Sequence, residues 1–176
     1  MYLYNKTIKP QNRAAKSISV LCFLIGAVLF TSAANIFKSG AAIAQLVGVL
    51  LLTVAIYVIS VYLVRQYTYS VERNETQEDS VKETYDFIIT ERRYGKALKV
   101  CHFKLADITC VRVVDAENKK QVTEERKNKL RYTYNTEFAP KRSIEISASL
   151  DDESYSIIIT YDNELLRALK TDSQGR

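Results

Sequence analysis

Cys101 and His102 are adjacent in the sequence, and Cys110 follows after a strand and a turn. A thiolate beside an imidazole is a nucleophile. Two thiols and one imidazole begin a zinc site, which needs three or four protein ligands. The spacing favours neither chemistry. Neighbours on a strand point to opposite faces, so Cys101 and His102 would not meet. His102 is the single histidine, and Cys22, the third cysteine, lies in an apolar run. Cys101 and Cys110 are therefore expected as reduced core thiols on the cytoplasmic side. Carboxylates are plentiful, but none forms a recognisable acid–base pair, and Asp151-Asp152-Glu153 suits a turn for backbone reasons. There is no glycine-rich phosphate loop, no Gly-x-Ser-x-Gly and no His-Glu-x-x-His. The chain reads as non-enzymatic, with no cofactor and no metal.

Basic residues fall into groups. Arg92, Arg93, Lys96 and Lys99 cluster near one turn and suit an anionic lipid surface, where each charge contributes about 1 kcal/mol. Lys119, Lys120, Arg126, Lys127, Lys129 and Arg131 are interleaved with Glu117, Glu124 and Glu125. Mixed sign predicts a solvated loop or a short exposed helix rather than a nucleic-acid footprint. The whole chain, 176 residues with a net charge of +5, is strongly asymmetric. No Asp or Glu precedes Glu72, whereas 6 of the 25 Lys and Arg residues lie at or before Arg65. The positive balance therefore belongs to the flanks of an apolar segment.

That segment contains two uncharged runs, Ser17 to Phe37 and Ser39 to Val64. Each is long enough to cross a bilayer core of ~30 Å as a helix, the form in which backbone groups are satisfied internally. A signal peptide has one short run, and a pair of soluble core helices would carry polar faces. Two transmembrane helices are expected over 17–64, turning at Lys38. Lys6, Lys9, Arg13 and Lys16 before the hairpin, with Arg65 and Arg73 after it, place both termini in the cytoplasm of a cell (inner) membrane protein. Residues 1–16 read as a basic N-terminal tail. Tyr57, Tyr62 and Tyr67 suit an interfacial aromatic belt. Gly40, Ala44 and Gly48 recur every four residues, a spacing that lets helices approach closely, either in a dimer or against Gly26, Ala33 and Ala34 of the same hairpin. Gln45, polar but close to a helix end, reads as a packing or hydrated position.

From residue 65 to 176 the pattern changes to alternation of period two. Strands are predicted at Gln66–Arg73, Thr84–Arg92, Ala97–Leu105, Ile108–Asp115, Leu130–Asn135, Arg142–Leu150 and Ser154–Tyr161. Arg93-Tyr94-Gly95-Lys96 is a hairpin turn in which Gly95 supplies positive φ. A helix follows over Asp162–Thr171, capped by Asp162 or Asn163, with Leu165, Leu166 and Leu169 as its apolar stripe. Tyr132, Tyr134, Tyr155 and Tyr161 could line a contact surface, since tyrosine is enriched at interfaces.

Seven strands and a closing helix predict a mainly β, α+β domain: a bent sheet or partial barrel with the helix over its open end. The order resembles the pleckstrin-homology-like (PH-like) superfold, and more narrowly bacterial PH-like domains attached to a two-helix membrane hairpin. Cys101-His102-Phe103-Lys104-Leu105-Ala106-Asp107-Ile108-Thr109-Cys110-Val111 and Asp162-Asn163-Glu164-Leu165-Leu166 carry the likeness. It implies a membrane-tethered recognition or assembly domain. A phosphoinositide-binding PH-like domain has a basic first hairpin loop. Here Glu72–Glu83 is net acidic, which speaks against inositide binding. The expected function is a protein-interaction or self-assembly module at the cytoplasmic face, with the bilayer and a protein partner or second copy as its contacts. The alternative is an anionic-lipid surface sensor using Arg92, Arg93, Lys96 and Lys99. A cysteine-dependent enzyme is the remotest reading.

Overall fold

The computed structural model describes residues 2–10, 12–36, 40–73, 84–150 and 152–173. They form two compact units: 10–65, and 1–9 together with 66–176.

The first unit is a helical hairpin of α1 (Arg13–Ile36) and α2 (Ala41–Ile59), the latter continued by a π-helical turn, Ser60–Val64. Both helices are long and apolar enough to cross a membrane. Their burial is inverted relative to a water-soluble pair. The small residues Ala15, Ser19, Ala33, Gly48 and Ala55 are buried, while Leu21, Leu24, Ile43, Leu46, Leu50 and Ile56 face outward. Large apolar side chains turned away from the packed seam suit a hydrocarbon solvent. Lys38 of the expected turn and the side chain of Ala34 lie outside the described residues.

Among the described residues the second unit contains eight strands, one more than the alternation predicts. The additional strand, β1 (Tyr2–Ile8), falls in the segment read above as a basic tail. It pairs antiparallel with β2 (Gln66–Arg73), Ile8 opposite Tyr67 and Tyr4 opposite Val71. Tyr-Leu-Tyr-Asn-Lys-Thr-Ile is too polar for a core strand; as an edge strand it buries only Tyr4 and exposes Leu3. β3 (Tyr85–Arg93) and β4 (Lys96–Lys104) complete an antiparallel sheet in the order β1-β2-β3-β4. Its β3–β4 turn is as the sequence suggests: Tyr94 and Gly95 have φ of 50° and 79°, matching the two-residue hairpin turn whose twist suits the strands. Glu72–Glu83, the expected acidic loop, lies outside the described residues from Asn74 onward.

After a 3-10 turn at Leu105–Asp107, β5 (Ile108–Val114), β6 (Leu130–Tyr134), β7 (Ser143–Leu150) and β8 (Glu153–Thr160) form the second sheet, ordered β5-β7-β8-β6. Its outermost strand β6 runs parallel to β8, so the chain is not a simple antiparallel succession. Among the described residues neither sheet closes on itself; in place of a partial barrel, two four-stranded sheets enclose a shared core. Tyr67, Tyr69, Val71, Phe87 and Ile89 from one meet Ile144, Ile146, Ile157 and Ile159 from the other. α4 (Asn163–Ser173) packs Leu165 and Leu169 into this core beside β1, β2 and β5. Asp162 caps it, accepting from the backbone N–H of Glu164 at 2.9 Å and Leu165 at 3.1 Å.

The charged stretch 116–129 differs most from its sequence appearance. α3 (Lys119–Glu125) is short, but Val122 and Arg126 are buried. Beneath them the outer face of β7 is also covered, and Glu145 is fully buried there. Arg126 Nε donates to Glu145 Oε1 at 2.7 Å, Arg112 Nε to Oε2 at 2.6 Å, and Ser156 Oγ to Oε1 at 2.6 Å. A buried carboxylate persists only when paired and hydrogen-bonded in this way.

Candidate interaction surfaces

The cysteine–histidine pair separates as strand geometry demands. Cys101 faces the core, opposite Ile89. Burial pushes its thiol up to about 12, so it is protonated at neutral pH. His102 points the other way, its Nε2 2.9 Å from Asp86 Oδ2. Cys110 is exposed, not a core residue as expected. Among the described residues no group of His, Cys, Asp and Glu could hold a metal ion.

Arg92, Arg93, Lys96 and Lys99 gather at the β3–β4 hairpin end but do not share one face. Arg93 is the partner of Lys96, whereas Arg92 is opposite Ala97 and Lys99 opposite Thr90. Residues paired across a sheet point to the same side, and successive residues alternate. The four cations therefore divide two and two around the hairpin. Between them Tyr94 is 74% exposed and Leu98 68% exposed; the Arg93 guanidinium lies 5.7 Å from the Tyr94 ring centroid. Leu98 carries no signal in the sequence, because strict alternation from Cys101 puts it on the outer face with Val100. An irregularity in the β3–β4 pairing between Ile89 and Thr90 shifts the register and sets Leu98 opposite Glu91. That turns Leu98 to the side of Ile89, in the row of Glu91 and the core residue Tyr67, but on the outermost strand β4, where it is left exposed.

In the helical hairpin, Gly48 faces Gly26. A Cβ on Gly48 would lie 2.9 Å from the Gly26 carbonyl oxygen and 2.9 Å from the Phe30 nitrogen. Gly40 and Ala44 are half-buried. Tyr57 is exposed and Tyr62 half-buried, but Tyr67, expected in the same belt, is instead a core residue of β2.

The tyrosines gather at one mouth of the β unit. Tyr132 and Tyr134 stack with centroids 6.3 Å apart, and Tyr155 stacks on Tyr132 at 6.3 Å. Phe103 meets Tyr155 edge-on at 5.7 Å. With Val100, Leu150 and Ile157 they line a cavity of about 250 Å3. Tyr161 lies outside this lining, under the Arg142 guanidinium at 5.8 Å. Tyr134 Oη donates to the Val100 carbonyl at 3.1 Å, joining β6 to β4. Burial pushes the Tyr134 hydroxyl up to about 12, so it remains a donor. β4 and β6 are both outermost strands. The opening between the sheets is thus bordered here by two strand edges, whereas α4 packs beside β1, β2 and β5.

No protein-family model matches the chain, and no curated protein or solved structure matches it.

Proposed function

We propose that the protein is a membrane-anchored interaction module, in which the mouth between β4 and β6 receives an extended segment of another protein or of a second copy. One observation carries this reading: an aromatic-lined hollow is flanked by two outermost strands. A strand edge offers backbone donors and acceptors that an added strand satisfies, while alternate apolar side chains of the guest fill the hollow. Tyr132 and Leu150 are exposed, which suits an apolar contact. In this reading the β unit is a PH-like recognition domain of bacterial type. Its parallel β6 and two open sheets depart from the antiparallel succession expected of that superfold. The two apolar helices cross the cell membrane. Lys9, Arg13, Lys16 and Arg65 at their flanks favour cytoplasmic termini, and the pairing of β1 with β2 supports a single side for both.

A photo-crosslinking residue at Tyr132 tests the reading in native membranes. An adduct is expected, and it should vanish when Phe103→Asp or Leu150→Asp places a charge in the hollow. Twice the chain mass identifies a second copy; any other discrete mass identifies a different protein. Crosslinking no stronger than from a control residue at Lys120, on the exposed face of α3, counts against it.

A further inference from the structure

The β3–β4 turn occupies a defined end of the first sheet. β2 begins at Gln66, directly after Arg65 and the apolar α2. Gln66 is the partner of Arg92. β1, which leads into α1, ends at Ile8 opposite Tyr67. The sheet is therefore connected to both apolar helices at the end where β3 turns back. β3 also overruns β2: Arg93, Tyr94, Gly95 and Lys96 continue past the Gln66–Arg92 pair. At about 3.3 Å per strand residue, the turn projects several ångströms past the residue at which the chain enters β2.

The chemistry of this projection is unusual for a solvated turn. Exposed apolar residues scattered singly need no explanation. Here Tyr94 lies in the projecting turn and Leu98 two residues beyond Lys96, level with Tyr67 of β2; both are more than two-thirds exposed, with cations on each side of the hairpin. Tyrosine with lysine and arginine is the composition that settles at the boundary of hydrocarbon and headgroups. Cations on both faces also suit a turn entering a headgroup layer end-on better than one lying flat on a surface.

We infer that the β3–β4 turn is a lipid-contact loop. Tyr94 and Leu98 enter the interfacial layer of an anionic bilayer, and Arg92, Arg93, Lys96 and Lys99 collar them on lipid phosphates. This differs from the protein-binding mouth and rests only on the membrane anchoring in that proposal. The loop holds the β unit at the bilayer surface and leaves the β4–β6 mouth for protein.

The chain contains no tryptophan, so single replacements report cleanly. Tyr94→Trp, Leu98→Trp and, within α2, Leu50→Trp are made in the full chain. Each is reconstituted in vesicles of phosphatidylcholine with one-quarter phosphatidylglycerol, with and without brominated acyl chains. The Leu50→Trp variant should be quenched strongly. The Tyr94→Trp and Leu98→Trp variants should emit to the blue of solvent-exposed tryptophan. Lipid brominated near the headgroup should quench both at least twofold. Omitting phosphatidylglycerol, or adding Arg92→Gln, Lys96→Gln and Lys99→Gln together, should at least halve that quenching. A quenched Leu50→Trp variant alongside solvent-like, unquenched Tyr94→Trp and Leu98→Trp variants overturns the loop and leaves the anchoring intact. Three unquenched variants overturn both.

Discussion

Glu145 shows how one side chain ties the charged stretch to the sheet. Burial raises its carboxyl, but the hydrogen bonds from Arg126, Ser156 and Arg112 more than offset this and hold it below the usual 4.5. Arg126→Ala would leave the carboxylate short of its main partner, and a loss of about 3 kcal/mol is expected. Thermal unfolding of the full chain in detergent, followed by near-ultraviolet circular dichroism, checks it. Replacing both partners, Glu145→Leu with Arg126→Met, should cost much less. Because the folded carboxyl titrates below the unfolded one, its contribution is complete above the unfolded value. It fades as pH falls from about 4.5 toward the lower folded value. Asp162 behaves alike: burial opposes its ionisation, but Lys6 Nζ at 2.7 Å and the backbone N–H groups of α4 lower it. Acid titration of the unfolding midpoint should show this loss, and Glu145→Leu with Arg126→Met should reduce it. Glu145 was not legible as a buried residue. Ser143, Glu145 and Ser147 alternate with isoleucine and alanine and read as a solvent face; burial came from α3, far along the chain. Tyr69 is a second joint. Its hydroxyl donates to the Tyr134 carbonyl at 2.5 Å and lies 3.2 Å from Thr160 Oγ1, linking the two sheets. Tyr69→Phe should lower stability by about 1–2 kcal/mol in the same measurement.

At the scale of elements, the two apolar helices meet through glycine. Gly48→Leu would drive a side chain into the Gly26 carbonyl and the Phe30 backbone, so the helices must separate. Overpacking of this kind costs about 1–3 kcal/mol. Loss of helical dichroism should begin at lower temperature in Gly48→Leu and Gly26→Leu than in Leu50→Ala, whose side chain faces outward. The repeat of small residues every fourth position was readable, with Gly26 among its candidate partners, but a stripe alone does not choose between a dimer and the same hairpin; the helix crossing sets Gly48 against Gly26. Strand positions from β2 to β8 were readable almost to the residue, because most of these segments alternate apolar and polar residues between turn signals. β1 was not. Its apolar Tyr2, Tyr4 and Ile8 are interrupted by Asn5 and Lys6, since an edge strand needs only one buried side chain. The Arg92, Arg93, Lys96 and Lys99 cluster was visible as composition. Its division between two faces follows from pairing register, which composition does not contain.

For the whole molecule, the decisive feature is that β1 and β2 flank the helical hairpin in sequence yet hydrogen-bond in one sheet. In the proposed membrane reading, residues on both sides of the helical hairpin in sequence are then reachable from one side of the membrane. Cys110 is exposed, and Tyr2→Cys would place a second thiol at an exposed position. A membrane-impermeant maleimide should label both in inside-out vesicles and neither in sealed right-side-out vesicles. Labelling of one without the other would contradict the pairing. The helical hairpin itself was plain from two uncharged runs. What the mouth receives was not, because the outermost positions of β4 and β6 depend on a strand order that no local pattern encodes.

The same pairing orders events during synthesis. Tyr4 leaves the ribosome well before its partner Val71, and the two apolar helices are translated between them. β1 must therefore wait for β2, and in the proposed membrane reading the two pair only if both helices have inserted with their ends on a common side. In that reading a chain that threads only one helix leaves β2 without its β1 neighbour, so the β1–β2 pair forms only on a correctly inserted hairpin.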